Sequence, residues 1–428
     1  MVAITMRDDR GTNGKVARRA GKPCKAQRPS RWGGRAASKF ARLFSAAALL
    51  AGGLGMGLVA STASSGIAMA QQIEFPPPGA LGRGTGSRGG GSYKVTGGVR
   101  VYTVDQSGGR GVYKTIMGAV NAAPAGSIIR VMPTQSATGI PYTYKENLFV
   151  SEAVRIESAL INFPITVTPD AIDAPCLLVS GKTTGLVEIS DIQFVPTADY
   201  RRDACVVMNG GVLTLRNVRV LGSVGIEGTN IIGSGFSYQP GFVLAGGFSR
   251  LEDVEATGTQ MGLLINHVPG ATYFIRDSQF HHNVNGVRLI GPAAPDFHTN
   301  QVYQNVEHGV VAVNGGGNYV SNRIERNGAN GIFMQQNSGS VPMQIVANII
   351  NDNAGAGIRL LPGAVGTIGG NAITNNLGGA VVGSEGSTQI IFEPPNTIVD
   401  DVFTGGGGFF SRLFGSGAGA DDPNDPDR

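Results

Sequence analysis

Short alternations of apolar and polar residues, interrupted by Gly and Asn, recur through the second half of the chain. The stretch NQVYQNVEHGVVAV (Asn300–Val313) is followed 22 residues later by NRIERNGANGIFMQ (Asn322–Gln335), which has nearly the same arrangement in different letters. Runs of three to five residues alternate with a period of two, which is the period of a β-strand. The pattern therefore predicts a chain of short strands joined by tight turns.

The copies recur at a step in the twenties, which is typical of a solenoid with one repeat per turn. The units contain neither the Leu-x-x-Leu-x-Leu frame of leucine-rich repeats nor the three-to-four spacing of helical repeats. We therefore predict an all-β fold, a single right-handed parallel β-helix whose strands pair with their counterparts one coil away. The landmarks of the repeat are the Asn residues Asn283, Asn305, Asn327, Asn353 and Asn376, and the Gly residues Gly286, Gly309, Gly331, Gly357 and Gly379.

The landmark residues suit the corners of such a coil. Asn and Gly tolerate left-handed and bridge backbone conformations best, and stacked Asn side chains can hydrogen-bond along the axis. Alternation predicts that Arg288, Phe333 and Arg359 point outward. The residues predicted to point inward are Val287, Leu289, Val310, Ile332, Met334, Ile358 and Leu360.

Upstream, four similar segments begin with Asp or Asn: DIQF from Asp191, NVRV from Asn217, DVEA from Asp253 and DSQF from Asp277. Their steps are 26, 36 and 24 residues, so the middle step contains an insertion, which we place at Leu221–Pro240. Before these coils, Thr115 can cap an amphipathic helix that extends to Ala123 and ends at Pro124 and Gly126. We expect this helix to cover the N-terminal end of the core.

The segment VDQSGGRGVYKTIMGAVNAAPAGSIIRVMP followed by YKENLFVSEAVRIES resembles the opening of pectin methylesterases and, more broadly, of the pectate-lyase-like right-handed β-helix family. The resemblance implies the fold for about residues 99–400. The methylesterase motifs Gln-Asp-Thr-Leu and Asp-Phe-Ile-Phe-Gly are absent, as are the Asn-Thr-Asp and Gly-His-Gly motifs of polygalacturonases. No catalytic residue is therefore carried over from the family.

The N-terminal region has the order of a secretory signal peptide: a basic front, the apolar run Leu43–Ala60 and the sequence AMA at Ala68–Ala70. We predict a signal peptide over residues 1–70, a Pro/Gly-rich linker over 71–98, the β-helix over 99–400 and a flexible acidic tail over 401–428. The product would be exported to the periplasm, the cell surface or the medium, with no stable membrane insertion after signal cleavage. Its oligomeric state is not predicted.

Removing the 12 basic and 2 acidic residues of positions 1–70 leaves 22 basic and 28 acidic residues. Nucleic acid is therefore not an expected partner of the mature chain. Cys176 and Cys205 lie at matching positions of adjacent coils, so either a disulfide or two buried thiols fits the sequence. No metal site is predicted.

Turns that follow each Asp/Asn-x-x-apolar segment leave the same edge of the solenoid, so their residues should form one surface strip. Two long turns in adjacent coils are the first candidates, and the strip continues past them. Asp199 and Asp203 are the predicted catalytic residues. The predicted substrate-binding residues are Tyr200, Arg201, Arg202, Glu227, Tyr238, His281, Glu307 and Glu325.

Three functions fit this strip. It could bind a polysaccharide, in particular an acidic one, since Tyr offers an apolar face and Arg pairs with carboxylates. It could also act on that chain as a lyase, epimerase or hydrolase, with Asp199 and Asp203 as acid and base. The third is a non-catalytic structural or cell-surface role. No cofactor is expected. Asp199 and Asp203 could bind Ca²⁺, but nothing else in the sequence supports a Ca²⁺ site.

Overall fold

The computed structural model describes residues 93–96, 98–134, 140–171, 173–181, 185–196, 204–222, 237–335, 341–383 and 389–398, except for the side chains of 237–239 and 389. Within these ranges the chain forms one helix and 32 strands. The helix is α1 (Ile116–Ala122), and the strands are β1 (Tyr93–Thr96), β2 (Val99–Val104), β3 (Ile128–Val131), β4 (Thr143–Lys145), β5 (Leu148–Val150), β6 (Arg155–Ser158), β7 (Ile165–Thr168), β8 (Leu177–Ser180), β9 (Leu186–Phe194), β10 (Val206–Asn209), β11 (Val212–Leu221), β12 (Ser237–Leu244), β13 (Phe248–Glu252), β14 (Glu255–Thr257), β15 (Thr259–Asn266), β16 (Thr272–Arg276), β17 (Gln279–His281), β18 (Asn285–Ile290), β19 (Asp296–His298), β20 (Gln301–Tyr303), β21 (Val310–Val313), β22 (Gly317–Val320), β23 (Arg323–Glu325), β24 (Ile332–Gln335), β25 (Met343–Val346), β26 (Ile349–Asn351), β27 (Ile358–Leu360), β28 (Val365–Gly369), β29 (Ala372–Thr374), β30 (Val381–Gly383), β31 (Gln389–Glu393) and β32 (Thr397–Ile398).

The strands form a right-handed parallel β-helix of about 11 turns, as the sequence predicts. Each regular coil contributes one strand to each of three faces. The first face runs from β2 to β31 and the second from β4 to β32; they form one 22-stranded sheet because β9 and β11 run continuously through both. The third face is a separate ten-stranded sheet from β5 to β30. Corresponding residues of successive coils therefore lie side by side in straight rows.

The core lies between the three faces, and the predicted alternation of side chains is confirmed. All seven residues predicted to point inward are at most 1% exposed. On the outer side, Arg288 and Phe333 are half-buried and Arg359 is exposed. The row Val287, Val310, Ile332, Ile358 is in register across four successive strands of the third face, so each apolar side chain stacks on its equivalent in the next coil.

The left-handed backbone conformation at the corners falls one residue earlier than predicted. The Asn landmarks do not adopt it; the residues before them do, with φ of 53° at His282, 52° at Gln304 and 54° at Arg326. The reason is that each landmark side chain points into the corner, where the landmarks from Asn283 to Asn376 are at most 5% exposed. The chain must turn just before it to aim the amide inward.

The Asn side chains stack as predicted, but in two ladders. At the second corner, the backbone N–H of Asn283 donates to Oδ1 of Asn305 at 3.0 Å, and the pattern repeats to Asn376. At the first corner, the Asn residues that begin the sequence copies form an equivalent ladder, such as the 2.9 Å bond from Asn300 N to Asn322 Oδ1. Both corners of a coil are thus fixed by buried amides.

The Gly landmarks serve close packing and, with the exception of Gly379 at φ 94°, not a positive φ. A Cβ on Gly331 would lie 2.7 Å from the carbonyl oxygen of Gly357 and 2.9 Å from Nδ2 of Asn353. The expectation that these glycines adopt a left-handed conformation is therefore wrong for the other four. They are glycine because the next coil leaves no room for a side chain.

Helix α1 covers the N-terminal end of the β-helix core, as predicted. Thr115 is the N-cap of α1, and its Oγ1 accepts a hydrogen bond from Gly118 N at 3.0 Å. The strand β1 lies within the range predicted as linker, and it pairs antiparallel with β2, where the rings of Tyr93 and Tyr102 are 5.6 Å apart. In the described part of the chain, no helix is long and apolar enough to cross a membrane.

Cys176 and Cys205 form a disulfide, which decides between the two alternatives that the sequence left open. They lie one residue before Leu177 and Val206, which are paired in β8 and β10. In later coils the equivalent position holds a Gly landmark. These two coils have no Asn ladder. The disulfide lies at the corner that buried Asn amides and glycines occupy in the later coils.

Candidate functional site

The two long turns predicted to carry the site follow β9 and β11. These strands end in register, with Val220 opposite Phe194, so the turns begin at equivalent points of adjacent coils. The side chains predicted to act there lie outside the described residues. These are Asp199, Tyr200, Arg201, Arg202, Asp203, Glu227 and Tyr238.

The outer surface of the second face carries a continuous polar strip on β11, β14, β17, β20 and β23. His281 and Tyr303 are paired residues of β17 and β20, and their rings stack at 4.7 Å with an interplanar angle of 12°. Tyr303 is paired in turn with Glu325 of β23. We call the group Arg219, Glu255, His281, His282, Tyr303, Arg323, Glu325 and Arg326 the second-face strip.

His281 and His282 lie on the same side of the chain, although the period of two of a β-strand predicts opposite directions for adjacent residues. Their Nδ1 atoms are 2.7 Å apart, and their rings meet edge to face at 5.0 Å. The strand ends at His281, and the left-handed φ of 53° at His282 returns its side chain toward its neighbour. Alternation applies only while the backbone stays extended.

Glu255 connects the histidines to the preceding coil. Its Oε1 lies 3.1 Å from Nε2 of His281, and its Oε2 lies 3.5 Å from Nε of Arg219. The hydrogen bond to His281, together with the charges of His281 and Arg219, outweighs burial and holds the pKa of the Glu255 carboxyl below its ordinary value. When both rings are neutral and Nε2 of His281 donates to the Glu255 carboxylate, Nδ1 of His281 carries no proton. It can then accept a hydrogen bond from Nδ1 of His282.

Glu325 was predicted to contact substrate, and the structure places its carboxylate beneath two arginines. It is 4% exposed, and its oxygens lie 2.6 Å from Nε of Arg323 and 2.6 Å from Nη2 of Arg326. Both guanidinium side chains remain half exposed, at 53% and 52%. The guanidinium of Arg326 also lies over the ring of Tyr303 at 5.9 Å. Glu325 therefore positions cations that solvent can reach.

A groove of about 500 Å³ runs between the first corner and this arginine pair. Its polar lining consists of side chains from two adjacent coils. They are Thr299, Asn300, Gln301, Ser321, Arg323, Glu325 and Arg326. The groove combines hydroxyl and amide groups with two guanidiniums, which suits a hydroxylated, negatively charged ligand.

Glu307 lies past the second corner, in the turn that leads to the third face. It is exposed, and its Oε2 accepts a hydrogen bond from Nδ2 of Asn285 at 3.0 Å. The next residue, His308, stacks on Phe333 at 4.9 Å and 18°. Glu307 thus belongs with the outer surface of the third face, and the predicted strip is divided between two faces.

The first face carries a ladder of opposite charges. Arg216 bridges Glu188 at 2.7 Å and Glu252 at 3.0 Å, and Arg130 pairs with Glu157 of the next coil at 2.8 Å. Burial acts to raise the pKa of Glu252, but hydrogen bonds from Arg250 and Arg216 and the charges of Arg250 and Arg276 outweigh it and lower that pKa. The arginines of this face are thus used in pairing between coils.

Sequence reasoning missed Glu255, Tyr303 and Arg323. Their signal was in the alignment of the copies, which places Tyr303 opposite Glu325 and Arg323 two residues before it. Extending that alignment one coil back pairs Thr257 with His281 and places Glu255 two residues before Thr257, within diagonal reach of His281. Among the described residues, no three His, Cys, Asp or Glu side chains form a group that could hold a metal ion.

Comparison with known proteins agrees with the fold. The family description "right handed beta helix region" matches residues 204–396. No curated protein matches the sequence. Similar solved structures include a periplasmic alginate epimerase, with 14% identity, a TM-score of 0.41 and coverage of 64% of this chain and 69% of that chain. The Dettilon tailspike protein has 13% identity, a TM-score of 0.42 and coverage of 68% and 63%. The A-module of a mannuronan C-5 epimerase from Azotobacter vinelandii has 14% identity, a TM-score of 0.37 and coverage of 68% and 94%.

At these identities and TM-scores the likeness concerns the fold alone. The matched range covers the coils from Ala204 to Asn396, which include both Asn ladders. The chain is a right-handed parallel β-helix protein.

Proposed function

We propose that the protein is an exported polysaccharide-binding protein and that the second-face strip binds an acidic glycan. The observation that carries the proposal is the groove beside the half-exposed Arg323 and Arg326, with the stacked His281 and Tyr303 rings adjoining it. Guanidiniums pair with carboxylates in a bidentate manner, and the edges of the stacked His281 and Tyr303 rings give a sugar an apolar surface. The strip supplies both groups side by side.

The strip also has the shape that a linear polymer requires. Its residues come from successive strands in register, so outward-facing positions recur along the axis at intervals of about 4.8 Å. Glu325 is buried between the two arginines, which reduces the side-chain entropy lost when they bind a ligand. A flexible chain could therefore be bound along the coil axis by a largely preformed surface.

Retention on immobilised glycans tests this proposal. We expect the full-length chain to be retained on a uronate-containing polysaccharide and the Arg323→Gln/Arg326→Gln variant to bind at least tenfold more weakly. The Arg100→Gln/Arg110→Gln variant changes net charge equally at two exposed N-terminal positions and should bind like the wild type. Equal losses of glycan retention in the two variants would mean that net charge alone explains the binding. This result would refute a specific site.

The turn residues predicted from the sequence belong to the same proposal. Arg201 and Arg202 would add carboxylate contacts, with Tyr200, Glu227 and Tyr238 as further contacts to sugar. Replacing Arg201 and Arg202 by Ala should weaken retention on acidic glycans with little change in melting temperature, since exposed turn residues contribute little to stability. Unchanged retention would remove these turns from the site and leave the described strip.

Acid–base chemistry on the bound chain is a second candidate function. Two contacts favour it: Glu255 lies 3.1 Å from Nε2 of His281, and Nδ1 of His281 lies 2.7 Å from Nδ1 of His282. A carboxylate that orients an imidazole is a common arrangement for proton transfer. Incubation with acidic glycans, followed by detection of new reducing ends, unsaturated ends or epimers, would reveal such activity. Glu255→Gln should then lower turnover at least a hundredfold while retention persists. Asp199→Asn and Asp203→Asn test the predicted alternative pair in the same assay.

Export is proposed on the leader sequence. Mass spectrometry of the protein recovered outside the cytoplasm should show a new N-terminus near Gln71. Recovery of the uncleaved chain from the cytoplasm would contradict it. If neither retention nor turnover is found on any glycan, the non-catalytic structural role becomes the better account of this fold.

A further inference from the structure

The outer surface of the third face carries a row of side chains that the second-face strip does not use. Arg288, Val311, Phe333 and Arg359 lie opposite one another on four successive strands, β18, β21, β24 and β27. We call these four residues the third-face row. Toward the N-terminus the same position is apolar, with Leu178, Val207, Val243 and Leu264. The charge is thus confined to the later coils.

The two arginines of the row differ from those of the first face. Within the described part of the chain, neither Arg288 nor Arg359 forms an ion pair, whereas Arg155 and Arg216 each contact two carboxylates. Nε of Arg288 is enclosed and donates to no described acceptor. A half-buried guanidinium without a carboxylate is costly unless an anion compensates its charge.

Between the arginines lies an apolar and aromatic platform. Val311 is 7% exposed although it points outward, and Phe333 is half-buried. The His308 ring lies nearly parallel to Phe333, at 4.9 Å and 18°. Nδ1 of His308 accepts a hydrogen bond from Asn330 N at 3.2 Å, which places the proton of the neutral ring on Nε2.

Burial keeps His308 in that neutral form. It lowers the pKa of the imidazole, and the charge of Arg359 acts in the same direction against the opposing effect of Glu307. The platform can therefore offer two flat rings and one N–H donor near neutral pH. Its ends are cationic, and Arg288 and Arg359 are three strand spacings, or about 14 Å, apart.

We propose that the third-face row is a second, separate binding site for a carboxylate-bearing oligosaccharide. The apolar faces of the sugar rings would lie on Val311, Phe333 and His308, and carboxylates about 14 Å apart would meet the guanidiniums of Arg288 and Arg359. This inference takes the class of ligand from the proposed function, but it concerns a different face of the solenoid. Two acidic-glycan sites on two faces would allow one molecule to hold two chains, or one chain twice, with the gain in avidity that multivalency provides.

A single-tryptophan reporter can separate the two sites. The chain has one Trp, Trp32, which lies in the predicted leader. In a full-length Trp32→Phe background, Phe333→Trp places the reporter in the row and Tyr303→Trp places it in the second-face strip. Each is titrated with a uronate oligosaccharide of about six sugars and with its carboxyl-reduced counterpart, and circular dichroism verifies that both variants are folded.

We expect the Phe333→Trp reporter to show saturable fluorescence changes with the uronate oligosaccharide and none with the reduced one. Adding Arg288→Gln/Arg359→Gln should weaken the response at position 333 at least tenfold and leave position 303 unchanged. The matched Arg100→Gln/Arg110→Gln pair should change neither response.

A response at position 303 alone would overturn the second site while supporting the proposed function. A response at position 333 alone would support the row and refute the strip. Silence at both positions would overturn both proposals. An equal response at position 333 to polyglutamate would show that the row recognises charge without sugar and would overturn the assignment of ligand class.

Discussion

Replacing Asn327 by Ala tests whether the amide ladder holds the coils together. The Asn327 side chain is 1% exposed. Its Oδ1 accepts from Asn305 N and Nδ2 at 3.1 and 2.9 Å, and its Nδ2 donates to Val302 O and Asn353 Oδ1 at 3.2 and 2.9 Å. The substitution removes these four hydrogen bonds, each of which contributes about 1 kcal/mol net. We therefore expect a loss of about 4 kcal/mol in the free energy of unfolding.

Hydrogen exchange locates the damage. The backbone N–H of Asn305 loses its acceptor in Asn327→Ala and should exchange far faster, whereas the N–H of residue 327 still faces Asn353 Oδ1 and should stay protected. Urea unfolding measures the overall loss. Asn318→Ala is the matched control, because that half-buried side chain makes one described hydrogen bond, to the Asp296 carboxylate, and the substitution should cost about 1.5–2 kcal/mol. Retained protection at Asn305, or equal losses in the two variants, would refute the argument.

Three further predictions follow from buried groups and glycines. Gly331→Ala should lower the free energy of unfolding by about 2–3 kcal/mol, because its Cβ would meet the backbone of the next coil. Gly270 has a φ of +81° and open space around it, so Gly270→Ala should lower that free energy by only about 1 kcal/mol, through backbone strain. Similar unfolding midpoints for the two variants would contradict the steric explanation. Tyr319→Phe should be neutral or stabilising, since the buried hydroxyl has no hydrogen-bond partner among the described residues, and Tyr144→Phe should cost about 1 kcal/mol because its hydroxyl donates to a carbonyl at 2.7 Å. The reverse order in thermal melts would show that the Tyr319 hydroxyl is satisfied. Because the pKa of Glu255 is lower in the folded protein, its contribution to stability is complete above the unfolded pKa near 4.5 and is lost as the pH falls through the folded pKa. Glu255→Gln should therefore reduce the dependence of the melting temperature on acid pH. An unchanged dependence would contradict the interaction of Glu255 with His281 and Arg219.

The solenoid could be predicted because one register repeats many times. Val310, Ile332 and Ile358 stack in adjacent coils, so the alternation found in one copy is tested again in the next. A repeated pattern also fixes which neighbours a residue meets, and this was enough to place Cys176 beside Cys205. It could not show that they are bonded, because that depends on side-chain geometry at a corner.

The errors arose at the corners, where the backbone leaves the extended conformation. A period of two predicts opposite directions for His281 and His282, and one left-handed residue brings their rings together. Asn at position 327 and a left-handed conformation at position 326 are neighbours in sequence, so composition alone assigned the unusual φ to the wrong member of the pair.

The candidate site was predicted only in outline. The edge where the long turns begin, and the presence of His281 and Glu325 on the strip, follow from the repeat. That Glu325 is covered by two arginines does not, since neither burial nor ion pairing can be read from the outward position alone. Asp199 and Asp203 remain predictions.

The ladders have a direction. At each step the earlier Asn donates its N–H to the later Asn, so the donors of a coil are satisfied by the coil that follows it. Truncation from the C-terminus removes the acceptor of the last remaining Asn N–H, whereas truncation within the ladder from its N-terminal side removes the donors to the first remaining Asn Oδ1. Growth from the N-terminus, the order in which a ribosome delivers the chain, therefore leaves the last coil incomplete until its successor arrives. The coils joined by Cys176–Cys205 precede both ladders and provide a covalently closed base for that growth.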